Sequence, residues 1–386
     1  MLLALFVVVP LYHIYLGIRL LPDLPWGAAG MTLVILYLVL SSLLIPLAML
    51  SRQMPQPRAH RLAWAGFLAM GLFSSLLVLA ILRDVVLLGM AAAGFLLPFP
   101  AVGRTVDAVL GPFRDGSAMA IPVLAAILTL AGFFNARRRA AVKYVDVPIA
   151  RLPAGLNGFT IAQVTDVHVG ATIRRSYLEA IVTAANAIGA DLIAVTGDMV
   201  DGSVEQLGWD VEPLGRLTAR HGVYFVTGNH EYYSGVHAWM DELRRLGLRV
   251  LMNEHVVIEH AGASMAVAGV TDFGAHHFDP AHRSDPAAAI AGAPEAAALK
   301  LLLAHQPRSA FAAAKAGFDL QLSGHTHGGQ FLPWTFLVRL QQPFASGLHR
   351  LDELWVYTSR GAGYWGPPMR LGAPSEITCL RLQLGA

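Results

Sequence analysis

Eight polar residues, each at or just after the end of a short apolar run, have side chains that could bind metal ions or transfer protons. They are Asp166, His168, Asp198, Asn229, His230, His305, His325 and His327. Imidazole and carboxylate together suit divalent manganese, iron or zinc. Because Cys379 is the single cysteine, neither an internal disulfide nor a cysteine-based zinc site can form. The residue types therefore predict a divalent metal site without thiolate ligands.

The spacing of these residues favours one shared site. In an extended segment, side chains two residues apart point to the same face, so Asp166 with His168, and His325 with His327, can each aim two groups at one region. Glycines at 197, 228, 324, 328 and 329 flank the segments, where the backbone must turn sharply or approach a ligand closely. A lone histidine after a strand is usually structural, whereas five such segments in sequence order indicate a common centre.

The apolar runs that carry these residues have the length and composition of buried strands. They cover residues 159–166, 191–198, 222–228, 299–305 and 319–325. Between the first two, Ser176 to Ile188 has helical periodicity, with Leu178, Ile181, Val182 and Ala185 on one face. Alternating strands and helices predict an α/β fold whose ligand site lies at the carboxyl ends of the strands.

Further runs favour a mixed two-sheet sandwich over a single doubly wound sheet. Residues 255–260 and 264–270 are close enough to pair as a hairpin, and 354–360 with 376–382 predict a later pair. Residues 271–297, with two adjacent histidines and an Ala-Pro-rich end, are predicted to form a surface excursion.

The first third of the chain has a different composition. Of the 386 residues, 14% are charged, yet residues 1–136 hold only 11 charged side chains and no Lys or Glu. Stretches of about 20 apolar residues can cross a bilayer, and four qualify, at about 1–21, 31–50, 63–91 and 118–135. The third contains Arg83 and Asp84, so it is either one tilted helix or a span followed by a re-entrant segment.

The distribution of cations predicts the orientation, because Lys and Arg in short loops stay on the cytoplasmic side. Arg52, Arg58 and Arg61 follow the second stretch, and a basic segment with Arg137 and Lys143 follows the fourth. Four spans place everything after residue 136 in the cytoplasm of a plasma-membrane protein, whereas a fifth span over residues 85–100 would place it outside. We predict a membrane anchor over 1–136, a basic juxtamembrane linker over 137–157 and a catalytic domain over 158–386.

The segments DVH, GDMVD, GNHE, AHQP and GHTHGG together resemble the five-block signature of calcineurin-like metallophosphoesterases. The resemblance covers about residues 158–384 and implies an αββα sandwich with mixed sheets. GNHEYYSG, LSGHTHGGQ and the closing TSRGAGYWGPPMRLGAPSEITCL also resemble the branch with N-terminal membrane spans. That branch includes proteins likened to UDP-2,3-diacylglucosamine pyrophosphatases of lipid A biosynthesis.

The resemblance also implies roles for the residues, and two divalent metal ions. One ion would be held by Asp166, His168 and His327, the other by Asn229, His305 and His325, with Asp198 bridging them. His230 would hydrogen-bond a transferring oxygen or protonate the leaving group. Asp201 and Glu231 would orient metal-bound histidines. Arg370, in the closing block, is a candidate clamp for a substrate phosphate.

These observations predict a membrane-anchored phosphoesterase acting on a phosphorylated, lipid-linked or nucleotide-linked glycolipid. Tethering to the bilayer would raise the local concentration of such a substrate. A catalytically idle sensor or scaffold, a phosphodiesterase of a soluble nucleotide, and a transporter with an appended domain are the alternatives. A formal net charge of +2 without a basic patch argues against a nucleic-acid partner.

Overall fold

The computed structural model describes residues 2–51, 54, 57–96, 100–295 and 297–385. The chain divides into two compact units. The first comprises Met1–Phe134 with Gly366–Met369, and the second Asn135–Trp365 with Arg370–Ala386.

The first unit is helical. Its helices are α1 (Leu2–Leu20), α2 (Gly27–Leu50), α3 (Arg58–Leu96) and α4 (Pro100–Arg137). By length and composition, four segments of the described chain could cross a membrane: Leu5–Asp23, Gly27–Leu50, Arg58–Leu96 and Ala108–Arg137. Large apolar side chains such as Leu33 and Leu88 point outward, as a lipid-facing surface requires. The prediction of four apolar N-terminal helices long enough to cross a membrane is therefore confirmed.

Helix α3 settles the path of the third stretch within the described residues. It is one continuous helix of 39 residues, without a re-entrant turn between 63 and 91. At 1.5 Å per residue such a helix is about 58 Å long, well beyond the roughly 30 Å of a hydrocarbon core. Of the cations used to predict orientation, Arg52 lies outside the described residues.

Charged side chains in the first unit pair between helices. Although Arg83 and Asp84 are adjacent, Arg83 makes an ion pair with Asp23, and Asp84 accepts two hydrogen bonds from Arg19, at 2.7 and 2.8 Å. The guanidinium of Arg83 also donates to the hydroxyl of Ser117 at 2.9 Å. These contacts connect α1, α3 and α4, because a polar group among apolar helices is stable only when it has a partner.

The second unit contains two mixed sheets. Its strands are β1 (Ala141–Ile149), β2 (Thr160–Val164), β3 (Leu192–Val195), β4 (Val223–Phe225), β5 (Arg249–Val250), β6 (Glu254–His260), β7 (Ala263–Gly269), β8 (Leu299–Leu303), β9 (Leu320–Ser323), β10 (Gly347–Leu351), β11 (Leu354–Thr358) and β12 (Glu376–Leu384). One sheet has the order β1-β12-β2-β3-β4-β5 and the other β10-β11-β9-β8-β7-β6. Strands β2 to β5 are mutually parallel, as are β7, β8, β9 and β11.

Helices of the second unit pack on the outer faces of the sheets or lie in the connections between strands. They are α5 (Arg175–Ala187), α6 (Val204–Val211), α7 (Asn229–Tyr233), α8 (Val236–Arg245), α9 (Pro286–Ile290), α10 (Ala310–Lys315) and α11 (Trp334–Leu337). Apolar residues of both sheets, including Ile161, Leu301 and Leu380, form the core between them. Helices α5, α6 and α8 pack on the first sheet, and α9 and α10 on the second. This layering confirms the expected αββα sandwich.

Most predicted elements are present. The five apolar runs form β2, β3, β4, β8 and β9, and the predicted hairpin forms from β6 and β7. Helix α5 buries the four residues expected on its inner face, Leu178, Ile181, Val182 and Ala185.

Two expectations differ from the structure. Strands β11 and β12 do not pair with each other: β11 lies between β10 and β9 in one sheet, and β12 between β1 and β2 in the other. Residues 141–149, expected within a basic linker, form the edge strand β1, which pairs in parallel with β12 from Ala141 to Ile149. Its outward-facing residues are exposed, so its sequence lacks the continuous apolar run of a buried strand.

Candidate metal centre

The candidate ligands lie at the carboxyl ends of strands from both sheets. Asp166 and His168 follow β2, Asp198 follows β3, and Asn229 with His230 begins α7 directly after β4. In the second sheet, His305 follows β8, and His325 with His327 follows β9. Side chains that follow strands of one sheet contact those that follow strands of the other, as His305 contacts Asp198 and His327 contacts His168.

Asp198 lies at the centre of the cluster. Its Oδ2 atom is 3.0 Å from Nε2 of His305, 3.9 Å from Nε2 of His168 and 4.0 Å from Nε2 of His230. Its Oδ1 atom accepts a hydrogen bond from the main-chain N–H of His230 at 2.8 Å. One buried carboxylate oxygen is thus surrounded by three imidazole nitrogens, the position that a ligand shared by two cations requires.

Six of the seven predicted ligands form two groups of three. Ligand atoms of Asp166, His168 and His327 lie within 4.8 Å of one another, as do those of Asp198, His305 and His325. A third group, of His168, Asp198 and His230, overlaps both, so the structure brings these predicted residues together in one cluster.

The chemistry of these atoms fits divalent cations. Nε2 of His168 lies 3.0 Å from Nε2 of His327, and Nε2 of His305 lies 3.2 Å from Nδ1 of His325. The seventh predicted ligand, Asn229, has a buried Oδ1 atom with no hydrogen-bond partner among the described residues. Imidazole nitrogens that face each other, and a buried acceptor oxygen without a donor, have lone pairs that bound cations would satisfy.

The backbone at the centre adopts an uncommon conformation. Among the described residues, nine other than glycine have positive φ, and five of these are predicted ligands: Asp166, His168, Asp198, His325 and His327. Their φ values lie between 50° and 69°, in the left-handed region. Each such residue costs of the order of 1–3 kcal/mol and persists only where surrounding contacts hold it. The structure therefore places local strain at the predicted ligands.

Two glycines allow close approach to the carboxylates. A Cβ atom on Gly324 would collide with Oδ2 of Asp166 and with the side chain of Thr165. A Cβ atom on Gly228 would collide with the carboxylate of Asp198. Both positions need glycine because the carboxylate of a predicted ligand lies directly against them. Close approach to a ligand is one of the two roles that the sequence predicts for these glycines.

Residues around the ligands fix their orientation. Nδ1 of His305 donates to the main-chain carbonyl of Thr196 at 2.8 Å, which leaves Nε2 toward Asp198. Burial lowers the pKa of His305, but the charge and hydrogen bond of Asp198, together with the charges of Asp166 and Asp272, raise it above its usual value. Asp201 contacts Nδ1 of His230 and lies 3.4 Å from Nδ1 of His168. Asp201 therefore orients the imidazole of His230 and lies beside that of His168.

Glu231 orients the main chain next to the ligand Asp198. Its carboxylate accepts hydrogen bonds from the N–H groups of Asp198, Met199 and Gly228, at 3.0, 2.7 and 2.7 Å. Burial, aided by the charge of Asp198, raises the pKa of Glu231 to about 7 despite these donors. Glu231 thus ties the loop after β3 to the start of α7.

His230 has the surroundings of a proton donor held in place. Its Nδ1 atom contacts Asp201, and its Nε2 atom faces the carboxylate of Asp198. The ring is 6% exposed, with its centroid 4.5 Å from that of His168 and 5.9 Å from that of Trp365.

Asp272 is a polar residue of this region that the sequence analysis missed. It follows β7, is buried, and accepts hydrogen bonds from Gln306 at 3.0 Å and from the N–H of Gly274 at 2.8 Å. Burial raises its pKa. The signal was present, because Thr271 and Asp272 follow an apolar run just as Thr165 and Asp166 do.

Arg370 differs from the phosphate clamp expected from the sequence. Its side chain is 1% exposed, and its guanidinium donates to the main-chain carbonyls of Gly363, His327 and Ala373 and to Nδ1 of His327, the last at 3.0 Å. Burial lowers its pKa to about 10. With its donors directed inward, Arg370 holds the His327 segment rather than a ligand at the surface.

The substitution Arg370→Lys is therefore expected to weaken cation binding. A lysine ammonium cannot reach several carbonyls as the planar guanidinium does, so His327 loses its support and metal affinity falls by about 10–100-fold. Metal titration monitored by activity measures this, with thermal unfolding as the check on folding. A raised KM with unchanged metal affinity would instead indicate the phosphate clamp.

The fold and this cluster of ligands define a metallophosphoesterase. Residues 159–329 match the family model described as calcineurin-like phosphoesterase. Together with the relatives below, this match shows that the chain belongs to the calcineurin-like metallophosphoesterase family.

Two vertebrate relatives are named transmembrane protein with metallophosphoesterase domain. The zebrafish protein (Danio rerio) is 37% identical over 71% of this chain and 64% of its own length. The bovine protein (Bos taurus) is 39% identical over 77% of this chain and 69% of its own length. An uncharacterized metallophosphoesterase of Campylobacter jejuni is 35% identical over 69% of each chain. The chain thus matches just under two thirds of the zebrafish protein.

Proposed function

We propose that the protein is a membrane-anchored phosphoesterase that uses two divalent cations to hydrolyse a phosphoester or pyrophosphate bond. The observation that carries the proposal is the convergence of three imidazole nitrogens on Oδ2 of Asp198, which belongs to two overlapping groups of ligand atoms. A structural ion would need one closed set of ligands, whereas two adjoining sets suit the in-line displacement at phosphorus.

Each residue has a defined task in this proposal. Asp166, His168 and His327 would hold one cation, Asn229, His305 and His325 would hold the other, and Asp198 would be their shared ligand. When bound, the cations would polarise the phosphoryl oxygens and activate water for attack on phosphorus. Manganese, iron and zinc all suit these donors.

His230 would move a proton. With Nδ1 held by Asp201, its Nε2 atom faces the region between the ligand groups and can donate to the oxygen of the leaving group. General acid catalysis of this kind contributes about a hundredfold to ten-thousandfold.

The substrate we propose is lipid-linked, with a nucleotide-linked glycolipid similar to UDP-2,3-diacylglucosamine as the first candidate. The support is a group of exposed apolar side chains in the segment that directly follows His325 and His327. We call this group the apolar rim. The apolar rim consists of Leu332, Trp334, Phe336, Leu337 and Leu340, which are 42% to 83% exposed. Exposed apolar side chains grouped in this way are typical of contact with a membrane or an acyl chain.

A comparison of substrates tests the role of the apolar rim. The double variant Phe336→Ser/Leu340→Ser is expected to reduce hydrolysis of a lipid-linked diphosphate in mixed micelles by about tenfold, because each lost apolar contact weakens binding of the acyl chain. Hydrolysis of a soluble aryl phosphodiester should be unchanged. The matched control, Phe311→Ser/Leu384→Ser, removes exposed apolar residues elsewhere in the same unit. Equal losses on both substrates would contradict a lipid-binding role.

The proposed arrangement places residues 1–136 in the plasma membrane and the catalytic domain, 158–386, on the cytoplasmic side. The arginines after the second and fourth spans support this orientation. Reporter fusions to Ala386 test it, and a signal found only outside the cytoplasm would overturn it.

The proposed activity is tested with the full chain in detergent. Turnover of an aryl phosphodiester should require added manganese, stop on chelation and return on re-addition. A panel of a nucleotide-linked glycolipid, phospholipids and soluble nucleotides, with product phosphates identified by 31P NMR, would then define the substrate. Ligand binding without turnover under any metal would favour a sensor, and preference for soluble nucleotides would overturn the lipid-linked substrate.

A further inference from the structure

A second cluster of metal-ligating side chains lies outside the centre around Asp198. It consists of His237, in the first turn of α8, with Asp279 and His282 from the segment of residues 271–285, between β7 and α9. Nε2 of His237 is 3.5 Å and Nε2 of His282 is 3.8 Å from Oδ2 of Asp279. One ligand atom from each of the three residues lies within 4.8 Å of the others.

Two of the three side chains are held so that a ligand atom faces the others. Oδ1 of Asp279 accepts a hydrogen bond from the N–H of Ala281 at 2.9 Å, which leaves Oδ2 toward both imidazoles. Nδ1 of His282 lies 3.1 Å from the hydroxyl of Tyr232, which leaves Nε2 toward Asp279. A second polar contact that orients each ligand is the usual setting of protein metal sites.

The distances favour coordination over simple ion pairing. A direct N–H···O hydrogen bond is about 2.7–3.2 Å long, shorter than both contacts to Asp279. In a tetrahedral zinc site with bonds of about 2.0–2.1 Å, neighbouring ligand atoms are separated by about 3.4 Å. The observed 3.5 and 3.8 Å are close to that separation.

The cluster joins the segment of residues 271–285 to the helix that carries Asn229 and His230. Tyr232, which contacts His282, belongs to α7, and its ring packs against Phe278 with centroids 5.7 Å apart. Phe278 also contacts Tyr233, whose ring centroid is 5.1 Å from that of His230. A cation at the cluster would therefore restrain the segment that packs on α7.

We propose that His237, Asp279 and His282 form a peripheral site for a first-row divalent cation such as Zn²⁺, which fixes residues 271–285 against α7. Two imidazoles and one carboxylate are a common ligand set for zinc. The side chain of His237 is 69% exposed, so water can complete the coordination from the open side.

Zinc binding to the full chain in detergent tests the proposal. The protein is stripped with a chelator and re-loaded with Zn²⁺, and bound metal is measured by mass spectrometry. His237→Gln and His282→Gln should each lower the zinc content by one equivalent. His277→Gln, an exposed histidine of the same segment outside the cluster, should leave it unchanged. Since His237 is largely exposed, its variant is expected to fold even if His282→Gln does not.

Hydrogen exchange provides a second readout that does not depend on activity. Zn²⁺ should slow amide exchange across residues 271–285 in the unsubstituted protein and in His277→Gln, but not in His237→Gln. The same zinc content in His237→Gln as in the unsubstituted protein, or the same change in exchange, would overturn the proposal.

Discussion

Asp198→Asn is expected to reduce phosphodiester turnover by about a thousandfold or more, the scale set by losing a group that stabilises the transition state. Asparagine can keep the oxygen that accepts the N–H of His230, but it replaces the charged Oδ2 with an uncharged amide. The three imidazole nitrogens within 4.0 Å then lose their shared anionic partner. Turnover with manganese and metal content by mass spectrometry measure the loss.

Asp319→Asn is the matched control for this substitution. Asp319 precedes β9, at the opposite end of the strand from His325, and its Oδ2 atom accepts the N–H of Lys300 at 2.7 Å. Asparagine retains an acceptor there, so activity and metal content should stay near those of the unsubstituted protein. If Asp198→Asn kept both cations and a tenth or more of the activity, Asp198 would not be their shared ligand.

Gly324→Ala is expected to lower turnover by about a hundredfold, although it adds a single methyl group. The new Cβ would occupy the position of the Asp166 carboxylate, which accepts the N–H of His325 at 2.9 and 3.0 Å. Moving Asp166 displaces it from His327 and weakens one cation group, and a misplacement of about 1 Å can cost a hundredfold in rate. Metal content and turnover, measured together, report the change.

Gly208→Ala provides the comparison. Gly208 lies within α6, where a Cβ atom would come no closer than 3.8 Å to Val204. Alanine favours helix over glycine by about 1 kcal/mol, so this variant should be at least as stable and fully active. Normal activity in Gly324→Ala would mean that Asp166 can shift without consequence, contrary to a ligand role.

The parts of the fold nearest the centre could be predicted because local and long-range signals agree there. Each of β2, β3, β4, β8 and β9 is a buried apolar run, and each ends in a polar segment, so hydrophobicity gives the strand and the polar residues mark its end. Helix α5 was predicted for the same reason, since its apolar residues recur at helical spacing.

The edges of the sheets could not be predicted in this way. Strand β1 is half exposed and follows a basic segment, so its composition resembles a linker. Its partner, β12, lies more than 200 residues away, and the pairing Ala141 with Glu376 has no local signature. Strands β11 (354–358) and β12 (376–384) are neighbours in sequence, yet they belong to different sheets.

Backbone conformation and the final position of Arg370 were also beyond the sequence. A glycine in a sequence indicates that a positive φ is possible, whereas an aspartate or a histidine gives no such indication. The strain at Asp166 and His327 is therefore visible only in the structure. An arginine in a glycine-rich loop looks available to a ligand, whereas here main-chain carbonyls of the same loop and of the His327 segment take up its donors.

The ion pairs among the N-terminal helices bear on how the chain enters the bilayer. Arg83 and Asp84 of α3 find their partners, Asp23 and Arg19, at the end of α1 and directly after it. Until both segments have been inserted, these interhelical pairs cannot form, and Arg83 and Asp84 keep only their mutual contact of 4.0 Å among the four charges, in an environment where charge is costly. We therefore expect the insertion of the first and third segments to be coupled, and a chimera that exchanged α1 for an unrelated signal anchor would leave the charges of α3 without their partners from the first segment.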